Sequence, residues 1–210
     1  MRGVRRRPDR RKARNRRALL EAAERLFAQK GIERVSIDEI TETADLSKGT
    51  FYAYFSDKEA IAAEIALAAR AELAKEVAVA QTGSSDPAER WVLGICVFLR
   101  CAADRPSRAA VIAQMFRLWL RPEAKGNEDL RLDLEHGYRE ARFTAANIVA
   151  ANVLTVGLVE AGIGQAISVN DRGNVRALTQ NLCELALRAL GVTSRQAQAI
   201  SRRSVAYVFD

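Results

Sequence analysis

Two short segments, Ser36-Ile37-Asp38-Glu39 and Ser56-Asp57-Lys58-Glu59, stand twenty residues apart, and each reads as a capping box. In a capping box the serine hydroxyl accepts from the third amide of a helix while the glutamate reaches back to the serine amide. Each box fixes a helix start, so the stretch between them has room for only two short helices and a break. Asp45-Leu46 supplies the break, and Ser47 caps a second short helix holding Phe51 and Phe55. Upstream, Leu19, Ala23, Leu26 and Phe27 form a helical stripe that stops at Gly31, a natural C-terminal cap. The order is three short helices and then a longer one with Ile61, Ile65, Ala68 and Ala69 on it.

Beyond residue 80 the pattern stays helical. Pro and Gly are scarce, Ala, Leu, Glu and Arg dominate, and no apolar/polar alternation is long enough for a sheet. The clearest loop is Gln81-Thr82-Gly83-Ser84-Ser85-Asp86-Pro87. Helices are expected over roughly residues 88–103, 107–120, 128–150, 152–167 and 173–190. Residues 194–210 form a further helix or a frayed tail. The fold class is all-α: an N-terminal three-helix helix-turn-helix domain followed by a C-terminal helical domain. The expected division is 1–17 as a basic disordered arm, 18–62 as the helix-turn-helix domain and 63–210 as the second domain.

The arm rests on charge. The chain carries a net +7, but residues 1–17 alone carry +9 and the rest −2. Like charge this dense repels itself and stays disordered until a polyanion neutralises it. Other classes fall away on composition. Residues 148–159 are the longest nearly apolar run and are too short to cross a bilayer, so no membrane partner is expected. The basic N-terminus lacks the apolar stretch of a signal peptide, which points to the cytoplasm. Cys96, Cys101 and Cys183 are too scattered for a disulfide framework or a zinc ribbon. With His136 as the lone histidine, no metal site and no cofactor is called for, and no catalytic constellation is present: the chain is not read as an enzyme.

The spacing from Ser36 to Lys58 is that of a helix-turn-helix, whose second helix lies in the DNA major groove. That helix is polar at its front. Phe51 and Phe55 share one face and anchor it, which leaves Lys48, Thr50, Tyr52 and Tyr54 outward. Hydroxyls, amides at helix N-termini and Lys are the groups that hold phosphates. On the residues alone, a protein-protein three-helix module remains open beside a DNA-binding one.

The blocks Glu21-Ala22-Ala23-Glu24-Arg25-Leu26-Phe27-Ala28-Gln29-Lys30-Gly31, the capped helix from Ser36 to Ala44, and Ser47-Lys48-Gly49-Thr50-Phe51-Tyr52 to Tyr54-Phe55 with Lys58-Glu59 resemble the tetracycline-repressor family over about residues 16–65. The resemblance implies a homodimeric one-component regulator, most simply a repressor. It would bind a palindromic double-stranded DNA operator and be released by a small-molecule effector in its C-terminal domain. By position, Ser36 looks like a phosphate-contacting cap, and Ser47 caps the recognition helix. Lys48, Gly49 and Thr50 look like its groove-facing front, Tyr52 and Tyr54 like backbone-contacting aromatics, and Lys58 like a further phosphate contact. Two departures stand out: the family's Ala-Gly-Val turn reads Ala44-Asp45-Leu46, and Thr41 replaces a small Ala. Asp tolerates a left-handed backbone better than most residues. The alternative is a helical ligand-binding or interaction protein without operator recognition.

For the effector, Phe98, Phe116, Trp119, Tyr138 and Phe143 are the candidate pocket residues, with Trp91 in the same cluster of aromatics. They point to an apolar or amphipathic compound, although a large aromatic on a helix is more often core than contact. Small and apolar residues at Val153, Val156, Gly157, Ala161 and Gly164, with a leucine stripe at Leu178, Leu182 and Leu185, suit a packed interface or an internal core. The resemblance adds a four-helix dimer bundle there. Cys96 and Cys101 lie about 140° apart round a helix and do not face each other.

Overall fold

The structure is a computed structural model describing residues 7–145, 147–169 and 171–210. These residues form ten α-helices and one short 3-10 turn, with no strand among them. They divide into two compact units, the first ending at Ala66 and the second running from Leu67 to Asp210. The division falls four residues beyond the expected one, inside the helix α4 (Lys58–Ala80).

In the first unit, α1 (Arg7–Lys30), α2 (Ile37–Thr43) and α3 (Lys48–Tyr52) precede the start of α4. Leu19, Ala23, Phe27, Ile40, Phe51 and Ile61 form a core closed to solvent. The basic segment departs from expectation: residues 7–17 are helical and continuous with α1, while 1–6 lie outside the described residues. Arg, Lys and Ala are among the better helix formers, and a helix already nucleated on the core extends at little cost. Arg16 within this segment pairs with Glu64 and lies 5.4 Å from the centre of the Phe55 ring.

The turn between α2 and α3 follows the Ala-Asp-Leu departure. Asp45 sits at φ 52, in the left-handed region. Leu46 N–H donates to Thr41 O at 2.9 Å and Asp45 N–H to Glu42 O at 3.1 Å, the paired bonds of a Schellman cap. Thr41 is buried and its hydroxyl donates to Asp38 O, so the extra polar atom is satisfied within its own helix. The second expected capping box is corrected. Asp57, not Ser56, caps α4, accepting from Ala60 N–H at 2.7 Å, while Ser56 bonds to Asp57.

The second unit contains the rest of α4, α5 (Pro87–Asp104), α6 (Pro106–Gln114), a 3-10 turn Phe116–Trp119, α7 (Glu128–Arg139), α8 (Ile148–Val169), α9 (Arg172–Ala189) and α10 (Ser194–Phe209). α5 is central, packing on α6, α7, α8, α9 and α10. Its Cys96 thiol meets Cys183 of α9 at 4.0 Å, both are free and buried, and burial pushes the Cys96 thiol well up. α8 has the length and composition of a membrane span, contrary to the shorter apolar run read from the sequence. Its inner face nevertheless packs on α5, α6, α7 and α9 and carries the buried polar residues Asn152 and Thr155.

The expected helix over 128–150 ends early. Ala141 adopts φ 51, and Arg142 N–H turns back to Gly137 O at 2.8 Å and Ala141 N–H to Tyr138 O at 3.1 Å. This is again a Schellman cap, built on alanine rather than glycine. The break lets Phe143 fold back over Gly137, where it is 2% exposed and 6.0 Å from the Trp91 ring. A β-carbon on Gly137 would stand 2.2 Å from Phe143 Cδ2 and Cε2. Replacing Gly137 with Ala is therefore expected to cost about 1–3 kcal/mol and lower Tm by roughly 3–10 °C. Thermal denaturation followed by circular dichroism measures this, and an unchanged midpoint would contradict the packing described.

Candidate DNA interface and ligand cavity

All eight residues singled out for DNA contact lie in the first unit, and most are already engaged with neighbours. Ser36 caps α2 in the expected capping box: its hydroxyl accepts from Glu39 N–H at 3.2 Å and its own N–H donates to Glu39 Oε2 at 2.8 Å. Ser47 caps α3, accepting from Thr50 N–H at 3.2 Å. Lys48 is exposed and pairs with Asp38 of α2, Nζ to Oδ1 at 2.9 Å. Lys58 donates to Glu33 O at 3.1 Å. Gly49 is exposed, and a β-carbon there would meet nothing closer than Ser47 Oγ at 3.9 Å. Tyr52 is 53% exposed with its ring edge-on to Phe51, and Tyr54 is half-buried. Lys48, Gly49 and Thr50 thus stand together in the first turn of a helix whose other face, Phe51, is locked in the core.

Glu39 carries the electrostatics of this end. Its carboxyl is held down to about 2, first by the hydrogen bond from Lys30 at 2.6 Å and then by the Ser36 amide and hydroxyl. Asp38 and Lys30 were not singled out from the sequence. Each reaches its partner across a turn, and only the fold sets that distance.

The second unit contains a cleft of roughly 820 Å³, its open mouth included. Of the five expected pocket aromatics, Phe98, Phe116 and Trp119 line it. Tyr138 and Phe143 do not: Phe143 packs over Gly137, and Tyr138 stacks on Phe143 at 5.8 Å and donates to Ala145 O. The expectation is corrected for those two because the break at Ala141 turns Phe143 into the core and leaves Tyr138 half-buried against it. The polar lining is what the sequence did not reveal. Arg70 of α4 donates to Gly126 O and Asn127 Oδ1 and lies 5.3 Å from the Phe98 ring centre and 4.8 Å from that of Trp119. Burial lowers its pKa to about 10, which leaves it charged at neutral pH. Asp133, Arg90 and Gln81 form a closed set, with Arg90 Nε to Asp133 Oδ1 at 2.7 Å and Gln81 Nε2 to Asp133 Oδ2 at 2.8 Å. The two residues of the latter pair lie fifty-two positions apart, with no local pattern to link them.

Residues 19–65 match the model of the family described as bacterial regulatory proteins, tetR family. Among curated proteins, an uncharacterized HTH-type transcriptional regulator of Mycobacterium tuberculosis, MT1294, is 35% identical over 92 residues, which are 44% of this chain and 46% of that protein. The HTH-type transcriptional regulator EthR of the same organism is 30% identical over 111 residues, 49% of this chain and 51% of EthR. The chain spans about half the length of the curated relatives it matches. Among solved structures, RolR in complex with the ligand resorcinol superposes with a TM-score of 0.70 at 27% identity, covering 93% of this chain and 96% of that one.

The depressed Glu39 carboxyl gives the α2 cap a pH signature. Its folded value lies below the unfolded value of about 4.3, so its stabilisation is present above that pH and is lost as pH falls towards about 2. The Tm difference between wild type and Glu39→Ala is expected to be open at pH 6 and to close between about pH 4.5 and 2. A difference independent of pH would show that the charged form is not what holds the cap.

Proposed function

Through its residues 19–65 the chain belongs to the tetR family of bacterial regulatory proteins, and on that premise we propose that it is a dimeric transcriptional repressor released from a palindromic operator by a small molecule. The observation that carries the reading is the first turn of α3, where Lys48, Gly49 and Thr50 are presented on a helix anchored from behind by buried Phe51. Two such helices, one per protomer, spaced about 34–36 Å apart would enter successive major grooves. Ser36, Ser47, Tyr52, Tyr54 and Lys58 surround this turn as backbone-contacting groups. Arg10, Arg11, Lys12 and Arg14, exposed on the first turns of α1, add phosphate contacts from a preformed helix rather than a loose arm.

Support for the dimer lies on α8 and α9. Val149, at 54% exposure, Val153 and Leu185, at 60%, face outward, and β-carbons at Gly157 or Gly164 would meet nothing within 4 Å. A second copy of the chain is the occupant proposed for this face, through a bundle of two helices from each protomer. Support for the effector lies in the cleft lined by Phe98, Phe116 and Trp119, and in the resorcinol held by RolR, whose structure this chain resembles over most of its length. The release step follows from linkage. A ligand that favours a conformation unsuited to the operator lowers operator affinity, and the operator weakens the ligand by the same factor.

Gly49 gives a clean test, because the folded chain has room for a β-carbon there. Gly49→Ala is expected to keep or slightly raise Tm, since Ala is the better helix former. Its affinity for the operator, sought in the DNA upstream of the gene and measured by gel shift, is expected to fall about tenfold or more, as is that of Lys48→Ala. Full affinity in both variants would remove α3 from the groove. Deleting residues 2–14 is expected to flatten the slope of log affinity against log salt, and an unchanged slope would remove the basic segment from the interface.

A further inference from the structure

The two tryptophans of the chain both line the cleft, and their indole N–H groups are treated differently. Trp91 Nε1 donates to Thr155 Oγ1 at 3.0 Å, and that hydroxyl in turn donates to Ala151 O at 2.7 Å. Trp119 is 2% exposed, and its Nε1 has no acceptor. A buried donor left unmatched costs free energy that a ligand's acceptor would recover.

The charged groups of the lining separate in the same way. Asp133 is occupied by Arg90 and Gln81. Arg70 is matched by neutral acceptors, Gly126 O and Asn127 Oδ1, and by the faces of Phe98 and Trp119. Asp129, exposed at the mouth, and half-buried Glu160 remain, lining the cleft with no ion pair or side-chain hydrogen bond among the described residues. The site therefore offers one unmatched buried donor, two unmatched carboxylates and an aromatic wall of Trp91, Phe98, Phe116 and Trp119.

Each ligand class meets this arrangement differently. A hydrocarbon fills the wall and leaves Trp119 Nε1 unmatched. A carboxylic acid accepts from Trp119 and is attracted to Arg70, but Arg70 is already bonded to Gly126 O and Asn127 Oδ1, and the acid brings a third unmatched negative charge beside Asp129 and Glu160. An amine pairs with those carboxylates but has nothing for Trp119 and faces Arg70. A hydroxyl both accepts and donates. We propose that the cleft takes a neutral hydroxylated aromatic, whose hydroxyl oxygen accepts from Trp119 Nε1 while its O–H donates a hydrogen bond to Glu160 or Asp129. The inference rests on the reading of the cleft as the effector site and specifies the chemistry that site selects.

The test uses the full chain and three probes of like shape, 2-naphthol, naphthalene and 2-naphthoate, in isothermal titration calorimetry. 2-Naphthol is expected to bind about tenfold more tightly than either of the others. Trp119→Phe keeps an aromatic wall and is expected to erase most of that preference while leaving naphthalene unchanged. Glu160→Gln, which keeps the shape of the side chain, is expected to weaken 2-naphthol and strengthen 2-naphthoate. Equal binding of the three probes, no binding of any, or equal weakening of all three in Trp119→Phe would overturn the proposal. If 2-naphthol binds as expected and operator affinity in a gel shift does not change, the ligand class stands and the repressor reading fails.

Discussion

The second unit depends on a pair of buried amides. Asn127 Nδ2 donates to Trp119 O at 2.8 Å and Arg121 O at 2.9 Å, and Asn152 Nδ2 to Trp119 O at 3.0 Å and Leu120 O at 2.9 Å. The carbonyls after a 3-10 turn have no helical partner, and burying them unmatched would be costly. The two asparagines supply the donors from α8 and from the residue before α7, so Trp119 can be buried against the cleft while its neighbours Arg117, Leu118 and Arg121 stay exposed. The two amides share the load: an apolar residue in place of Asn152 would strand Leu120 O, while Trp119 O is served by both asparagines and Arg121 O also accepts from Ala124 N–H at 3.0 Å.

The ion pairs divide by setting. Arg90 and Asp133 meet with the carboxylate almost closed to solvent, and removing one partner would leave an uncompensated charge in the cleft lining. Lys48 and Asp38 meet with both side chains more than half exposed. A pair of that kind contributes about 0–1 kcal/mol, so on the repressor reading exchanging Asp38 for a DNA phosphate or base edge costs little. Asp38 holds the lysine beside the α3 N-terminus. The same logic applies to Lys58 on Glu33 O, an exposed contact that positions the ammonium without committing it.

Local chemistry made the first unit legible from sequence. The capping box at Ser36, the cap at Ser47, the left-handed Asp45 and the buried Phe51 and Phe55 all follow from residues within a few positions of one another. The Ser56 box failed within the same range, since Asp57 offered a competing acceptor one residue on. The break at Ala141 was hidden because its left-handed residue is alanine, which gives no cue. Reading through it placed Tyr138 and Phe143 in the cleft, when the turn sends Phe143 into the core over Gly137 with Tyr138 half-buried beside it. The cleft's polar lining was hidden for another reason. Arg70, Asn127 and Asn152, like Gln81 and Asp133, pair across tens of residues, and composition carries no trace of which buried polar group meets which.

Arg70 joins these two descriptions. It belongs to α4, the helix that Asp57 caps and that carries Lys58, and its guanidinium bonds to the same Asn127 whose amide holds the Trp119 turn. A ligand that takes the unmatched Trp119 N–H must come to rest beside the ring on which Arg70 stacks. It can do so with Arg70 in place or with Arg70 displaced, and these two arrangements differ in the bonds made by a residue of α4. Differential affinity for two such states is the one requirement for a ligand to shift an equilibrium. On the repressor reading, α4 is where that difference enters the helix, and the size of the shift is limited by what the Arg70 contacts are worth.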